Sequence, residues 1–197
     1  MTTTTARPSK AEQRAATRAR ILDAAVSCLV ELGHARTTTL VVQERAGVSR
    51  GALLHHFPTR AELLAETVNH LFEMQISERE SMSLRVGGRI EQAVRLLWAM
   101  STSTLSIAAL ELWTAARTDT ELRSALAKHE AYLNGEVRRT CEIVFGPELA
   151  AHPQFDVMIR TLLSSMRGTA QARSLHPSAS AQADLAMWTD IATRLLA

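Results

Sequence analysis

The segment AGVSRGALLHHFP, residues 46–58, constrains the fold more than any other part of the chain. Gly47 suits the left-handed backbone conformation that closes a helix, and Ser49 carries a side chain that caps the next helix. Pro58 stops this next helix after about two turns. Because Thr38 or Thr39 can start a helix that ends at Gly47, the sequence predicts two short helices joined by a tight turn.

Two short helices joined in this way form the helix-turn-helix of DNA-binding proteins. Its second helix enters the major groove with its N-terminal residues facing the base edges. Gly51 and Ala52 are small, which lets the helix backbone approach a duplex. Arg50 is the one long donor on the leading turn, and the helix N terminus offers free amides to phosphate. An ordinary corner between two helices with a serine cap is the structural alternative.

The distribution of charge favours a nucleic-acid partner for the front of the chain. Residues 1–60 contain nine Lys or Arg against four Asp or Glu, hence +5, and residues 61–197 contain thirteen against sixteen, hence −3. A clustered positive segment is typical of proteins that contact a phosphate backbone. All eight aromatic residues lie at Phe57 or later. Stacking on unpaired bases is therefore disfavoured, and duplex DNA is favoured over single strands.

The composition predicts an all-α protein. Only 5 Pro and 8 Gly are present, Ala and Leu recur at helical spacing, and 46% of the residues are hydrophobic. No apolar run approaches the ~20 residues of a membrane span, and the N terminus lacks the apolar region of a signal peptide, so we expect a cytoplasmic protein without membrane contact. Cys28 and Cys141 are far apart and fit neither a disulfide framework nor a zinc spacing, which indicates buried reduced thiols.

Two capping boxes mark the starts of longer helices. In this pattern a Ser or Thr is followed three residues later by Glu. Ser9 with Glu12 starts a first helix that ends at Gly33, and Thr59 with Glu62 starts the fourth helix. These starts place a helix on either side of the helix-turn-helix.

The chain is therefore expected to contain two helical domains. Residues 1–8 form a flexible basic and polar arm, and residues 9–80 form the DNA-binding domain, with the helix-turn-helix at about 38–57 and the fourth helix as a connection. Gly87 and Gly88 mark the boundary, and residues 81–197 form a larger ligand-binding and dimerisation domain. Its helices are predicted at 89–101, 104–117, 119–145, 153–173 and 181–196.

The segment TTLVVQERAGVSRGALLHHFPTRAELL, residues 38–64, resembles the signature of the tetracycline repressor (TetR) family of bacterial transcriptional regulators. The preceding RARILDAAVSCLVELG is similar to the first helix of that family. The resemblance covers about the first third of the chain. It implies a ligand-responsive regulator, most often a repressor, that binds palindromic operator DNA as a homodimer and is released by a small-molecule effector.

The resemblance also implies which residues contact DNA. The start of the second helix and Arg60 are expected to touch the backbone, the start of the third helix to lie in the groove, and the paired histidines to lie near phosphates. Leu54 stands where the family commonly has a phosphate-binding tyrosine, and Gln43 stands where it usually has a small alanine. The expected DNA-binding residues are Thr38, Thr39, Ser49, Arg50, Gly51, Ala52, Leu54, His55, His56 and Arg60.

Two further sets of residues follow from the resemblance, and plain core packing is the alternative for both. The last two helices of the family form a four-helix dimer interface, which a palindromic operator requires. The expected interface residues are Phe155, Met158, Ile159, Leu162, Met166, Leu185, Trp188, Ile191 and Leu195. The expected lining of an effector cavity is Trp98, Met100, Leu105, Leu110, Trp113, Arg117 and Met166, with Glu111 and Arg167 as further polar groups.

Catalysis and metal binding find little support in the sequence. Glu66, His70 and Glu73 share one helix face and are compatible with a metal, but a face of ion pairs is the commoner meaning. No catalytic motif or phosphate-binding glycine loop is present. We therefore expect no enzyme activity, no cofactor and no metal site. The alternative is a helical enzyme or metal-binding protein that contains a helix-turn-helix-like corner.

Overall fold

The computed structural model describes residues 9–81, 90–173, 175 and 180–197. Within these ranges all regular structure is helical, as the composition predicts. The predicted arm at 1–8 and the predicted boundary at Gly87 and Gly88 lie outside the described residues. The helices are α1 (Lys10–Arg36), α2 (Thr39–Ala46), α3 (Arg50–His56), α4 (Arg60–Ser81), α5 (Ile90–Ser101), α6 (Thr104–Ala115), α7 (Thr120–Ala127), α8 (Glu130–Phe145), α9 (Pro147–Ala150), α10 (Phe155–Arg173) and α11 (Gln182–Leu195).

The predicted capping box starts α1. The Ser9 hydroxyl accepts the Glu12 amide at 3.2 Å, and the Glu12 carboxylate accepts the Ser9 amide at 2.6 Å. These hydrogen bonds lower the pKa of Glu12. Gly33 has a φ of 74° and breaks the helix where a stop is predicted, although a further turn continues to Arg36.

The first three helices share one small core. Val42 of α2 and Leu53 of α3 are buried against the inner face of α1, and Phe57 closes the end of α3. Cys28 is buried in the same cluster, and burial raises the pKa of its thiol. The members of this cluster are Ile21, Leu22, Ala24, Ala25, Cys28, Val42, Leu53, Phe57 and Leu63.

The C-terminal domain contains a second core made by α5, α8, α10 and α11. Trp188 is fully buried there, with its ring 4.9 Å from that of Trp98, and its indole N–H donates to the Ser165 hydroxyl at 2.9 Å. Cys141 is also buried in this core. A third cluster joins Leu29 of α1 to the inner faces of α4, α6 and α7, so the two domains are packed together.

The predicted single helix at 119–145 is wrong, because the chain breaks at Lys128 and His129 into α7 and α8. Asp119 caps α7 by accepting the Leu122 amide at 2.9 Å. The break lets α7 pack against α4 while α8 turns to pack against α5. Helix propensity alone does not reveal it, since only tertiary packing requires the change of direction.

The apolar faces of α10 and α11, which carry the residues expected at a dimer interface, pack into the core of the single chain. Seven of the nine expected interface residues are buried in the single chain, and the other two, Ile191 and Leu195, pack against the same core. A side chain without exposed surface is unavailable to a second subunit. The seven buried residues are Phe155, Met158, Ile159, Leu162, Met166, Leu185 and Trp188.

No single helix in the described ranges is long and apolar enough to cross a membrane. Helices α5 and α6 reach the length and apolar composition of a membrane span only when they are taken together, and this pair is bent by 59° at its break.

Trp188 and Met187 are neighbours on α11 with opposite surroundings, so they test this core assignment. We expect Trp188→Ala to lower the free energy of unfolding by about 3–5 kcal/mol, because it leaves a cavity and removes the partner of Ser165. Met187 is 46% exposed, and Met187→Ala should change that free energy by no more than about 0.5 kcal/mol. Urea denaturation at one protein concentration measures both. An equal, small effect of the two substitutions would contradict the assignment.

Candidate functional site

Helix α3 is held at both ends so that its outer face is open to solvent. The Ser49 hydroxyl accepts the Ala52 amide at 3.2 Å, and Gly47 takes the left-handed conformation with a φ of 61°. Leu53 and Phe57 are buried, which orients the helix. Arg50 and Gly51 are therefore exposed on the first turn, and Ala52 is partly exposed.

The other expected DNA-binding residues of the two short helices lie around this surface. The Thr38 hydroxyl accepts the Val41 amide at 3.3 Å and caps α2. Thr39, the first residue of α2, is partly exposed. Leu54 is 38% exposed, and His55 is exposed beside it. The start of α2 and the outer face of α3 thus remain accessible to a large partner.

His56 is half-buried at the end of α3, close to several cations. Burial lowers its pKa, and His55, Arg14 and Arg18 lower it further. His56 is therefore neutral at pH 7 and offers a hydrogen bond rather than a charge. Arg18 pairs with Glu66 and lies 5.4 Å from the centre of the Phe57 ring.

Arg50 differs from the paired arginines nearby. Arg45 contacts Glu31 at 2.8 Å, which raises the pKa of Arg45. Among the described residues, no carboxylate lies within 4.0 Å of Arg50. Its donors are thus available to an external acceptor.

Arg60, which is expected to touch the DNA backbone, donates to two backbone carbonyls of the chain itself. Its guanidinium Nε donates to the Thr37 carbonyl at 2.9 Å, and Nη2 donates to the His34 carbonyl. These carbonyls belong to the end of α1, where the His34 carbonyl also accepts the Thr37 amide at 3.3 Å. Arg60 thus ties the start of α4 to the end of α1.

The end of α1 also contacts the C-terminal domain through α6. The His34 amide donates to Glu111 Oε2 at 3.0 Å, and a Cβ on Gly33 would lie 3.3 Å from the same oxygen. Burial lowers the pKa of His34, and Arg60 lowers it further, so the imidazole is neutral at pH 7. Glu111, predicted as a polar group of a cavity, thus links α6 to the end of α1, and it also lines an open cavity beside His34.

A cavity lies between α5, α6, α8 and α10. It holds about 750 Å³ of space free of atoms, including its open mouth. Its walls are mostly apolar, and its charged groups are Glu136 and Arg167. The lining residues are Phe72, Leu97, Met100, Ser101, Ser106, Ala109, Leu110, Trp113, Glu136, Val137, Thr140, Cys141, Leu163 and Arg167. We call it the inner cavity.

A second, more open cavity adjoins the inner cavity and shares Trp113 and Arg167 with it. It holds about 910 Å³ of space free of atoms, again including its open mouth. Its lining includes three arginines and one glutamate. The lining residues are Trp113, Ala116, Arg117, Arg123, Leu126, Ala127, Glu130, Leu133, Asn134 and Arg167. We call it the outer cavity.

The structure divides the expected cavity residues into three groups. Met100, Leu110 and Trp113 line the inner cavity, and Arg117 lines the outer one. The side chain of Leu105 lies outside those described. Of the other two, Met166 is buried in the core and Trp98 packs on Trp188.

Several cavity residues were missed by sequence reasoning. Glu136, Val137 and Thr140 come from α8, which was predicted only as part of one long helix. Phe72 comes from α4, which was assigned to the DNA-binding domain. Helical periodicity shows that such residues share a face, but it does not show which other helix that face meets.

The three residues considered for a metal are not assembled into a metal site. Glu66 contacts Arg18 and lies 3.3 Å from His129, and His70 lies 2.8 Å from Asp23. Glu73 accepts from the Asn69 amide at 3.2 Å. These are the contacts of an ion-pairing face that ties α4 to α1 and α8. Among the described side chains, no group of three or more possible metal ligands occurs.

Comparisons with known proteins identify relatives of this arrangement. Residues 21–67 match a family described as bacterial regulatory proteins, tetR family. An HTH-type transcriptional regulator of Mycobacterium bovis is 26% identical over 169 residues, which are 84% of this chain and 87% of that protein. The HTH-type transcriptional regulator CymR of Pseudomonas putida is 44% identical over 78 residues, which are 40% of this chain and 38% of that protein.

A solved structure extends the likeness over nearly the whole fold. The multidrug binding protein EbrR, complexed with imidazole, superposes with a TM-score of 0.60 at 21% sequence identity. The match covers 90% of this chain and 93% of that chain. The two-domain helical architecture is therefore shared beyond the helix-turn-helix.

The contacts of Arg60 lead to a prediction about stability. We expect Arg60→Met to lower the free energy of unfolding by about 1.5–3 kcal/mol, because it removes two charge-assisted hydrogen bonds to carbonyls. Arg20→Met, an exposed position on α1, is the matched control and should have an effect below about 0.5 kcal/mol. Chemical denaturation without DNA gives both values. Unchanged stability of Arg60→Met would contradict the assigned role.

Proposed function

Because the chain belongs to the tetR family of bacterial regulatory proteins, we propose that it binds palindromic operator DNA as a homodimer and is released by a small-molecule effector. The coarser statement, that it is a DNA-binding transcriptional regulator, follows from its relatives. The observation that carries the proposal is the exposed N-terminal turn of α3, fixed by the Ser49 cap. The resemblance to the tetracycline repressor family makes repression the expected direction of control.

The proposed DNA contacts follow from the position of α3. Its exposed first turn fits the major groove, where a guanine presents two acceptors to a fork of donors. Arg50 is the unpaired donor at that end, and Gly51 next to it leaves room for close approach. The Ser49 end of α3 and the Thr38 end of α2 offer backbone amides to phosphate. Arg60 contributes indirectly by holding α1 and α4 together.

The proposed dimer uses the outer faces of α10 and α11, since their inner faces are occupied. Val157, Thr161, Ser164 and Gly168 form an exposed and uncharged stripe along α10. Small side chains at such spacing let a second helix approach closely. A two-fold dimer would then present two copies of α3 to a palindromic site.

The proposed effector response uses the position of α6 between the cavity and the DNA-binding domain. Leu110 and Trp113 line the inner cavity, while Glu111 on the same helix binds the His34 amide at the end of α1. A ligand that prefers a different placement of α6 therefore also changes the free energy of DNA binding, typically by ~1–3 kcal/mol. EbrR, a multidrug binding protein of the same fold, is consistent with a small-molecule role for this domain.

The function is tested by selecting bound fragments from a library of genomic DNA and titrating the preferred fragment at several salt concentrations. Six to ten phosphate contacts would lower the affinity by about 10³–10⁵ between 50 and 200 mM salt. We expect Arg50→Ala to cost about 1–3 kcal/mol and to relax the preference at one base pair in each half-site. Arg20→Ala is the control for lost charge. An equal loss on every operator variant would make Arg50 a phosphate contact.

The proposed dimer face is tested with two glycines that have open space around them. A Cβ at Gly168 or at Gly135 would meet no atom within 4 Å in the subunit. We expect Gly168→Arg to produce monomers, because it places a charge in the proposed seam, and Gly135→Arg on α8 to keep the dimer. Sedimentation velocity measures both. If the two variants have the same mass as the unsubstituted protein, the interface lies elsewhere.

A further inference from the structure

Arg167 on α10 occupies an unusual position between the two cavities. Its guanidinium lies 5.3 Å from the centre of the Trp113 ring, and both side chains line the inner and the outer cavity. Arg167 is half-buried, and burial lowers its pKa. The ring holds the guanidinium by a cation–π contact, which leaves the edge donors of the guanidinium open.

Within the described part of the chain, Arg167 has no carboxylate partner. Among the described residues, none lies within 4.0 Å of its nitrogens, and Glu136, which lines the same cavity, is beyond that distance. By contrast, Arg138, which is exposed, pairs with both Glu142 and Asp156. Removing a cation from water without a counter-ion is unfavourable, so an anion at this place would gain a partner that the protein lacks.

The neutral polar groups of the inner cavity already have partners within the protein. The Ser106 hydroxyl donates to the Met100 carbonyl at 2.7 Å, and the Thr140 hydroxyl donates to the Glu136 carbonyl at 2.8 Å. The remaining wall is mainly aliphatic and aromatic. Arg167 is thus the strongest donor that this cavity offers to a ligand.

The outer cavity adds positive charge at the mouth. Arg117 and Arg123 line it together with Arg167, against Glu130 as its acidic side chain. Within the described part of the chain, neither Arg117 nor Arg123 has a carboxylate within 4.0 Å. An excess of cations around an opening of low polarity attracts anions and raises their local concentration.

We propose that the effector of this protein is an organic anion, with an apolar body in the inner cavity and its charged group on Arg167. This inference rests on the proposed effector role of the cavity, and it adds the chemical class of the ligand. The apolar body packs against Phe72, Leu97 and Leu110. The anionic group, a carboxylate, sulfonate or phosphate, accepts hydrogen bonds from the guanidinium at the junction of the two cavities.

The test compares two dyes that share one aromatic skeleton, 1-anilinonaphthalene-8-sulfonate and the uncharged N-phenyl-1-naphthylamine. Fluorescence titrations use the full chain without DNA, so their result does not depend on operator binding. We expect Arg167→Met to weaken the sulfonate dye about 10-fold or more and to change the uncharged dye less than about 3-fold. Arg160→Met, an exposed position on the same helix, should leave both dyes unchanged.

Two further variants separate charge recognition from damage to the fold. Arg167→Lys keeps the cation and should retain most of the affinity for the sulfonate dye. Glu136→Gln removes the carboxylate that lines the same cavity and should raise the affinity for that dye. An equal loss of both dyes in Arg167→Met would overturn the proposal, as would unchanged sulfonate binding. Binding of cationic decylamine that depends on Glu136 and not on Arg167 would also overturn it.

Displacement of the sulfonate dye then distinguishes the possible anionic groups. Decanoate and decyl phosphate should displace it, and decanol of the same chain length should do so at least about 10-fold less well. Displacement by decanol as effective as by decanoate overturns the proposal. If the anions bind through Arg167 but never change DNA affinity, the ligand class stands and the proposed effector response fails.

Discussion

The end of α1 is the point on which the relation between the two domains depends. Arg60 at the start of α4 donates to the Thr37 and His34 carbonyls there. The His34 amide at the same turn is bound by Glu111 of α6. One turn of backbone therefore connects α1, α4 and α6, beside the apolar cluster that packs the same helices together.

This constraint matters because α3 cannot maintain its own conformation. A helix of seven residues is unstable alone in water, since nucleation consumes more free energy than so few hydrogen bonds return. Leu53 and Phe57 fix it to α1, and the Ser49 cap fixes its first turn. The DNA-facing surface is thus an extension of the small N-terminal core.

The C-terminal domain uses its apolar residues for two different purposes. Those of α10 and α11 form a packed core around Trp188, and those of α5, α6 and α8 leave a cavity that is closed on one side by Arg167 and Trp113. A half-buried cation beside an apolar cavity is unfavourable in the empty protein. That cost makes binding of a complementary anion selective, because a neutral ligand of the same shape does not offset it.

The local features of this protein were determined by the sequence itself, because each of them depends only on neighbouring residues. These features are the capping box at Ser9, the turn at Gly47, the Ser49 cap and the stop at Pro58. Tertiary structure alone decided the break between α7 and α8, the engagement of Arg60 by the end of α1, and the burial of Trp188 within one subunit. Helical spacing shows that a face is apolar, but not whether a helix of the same chain or of a second chain covers it. That choice depends on contacts between residues far apart in sequence.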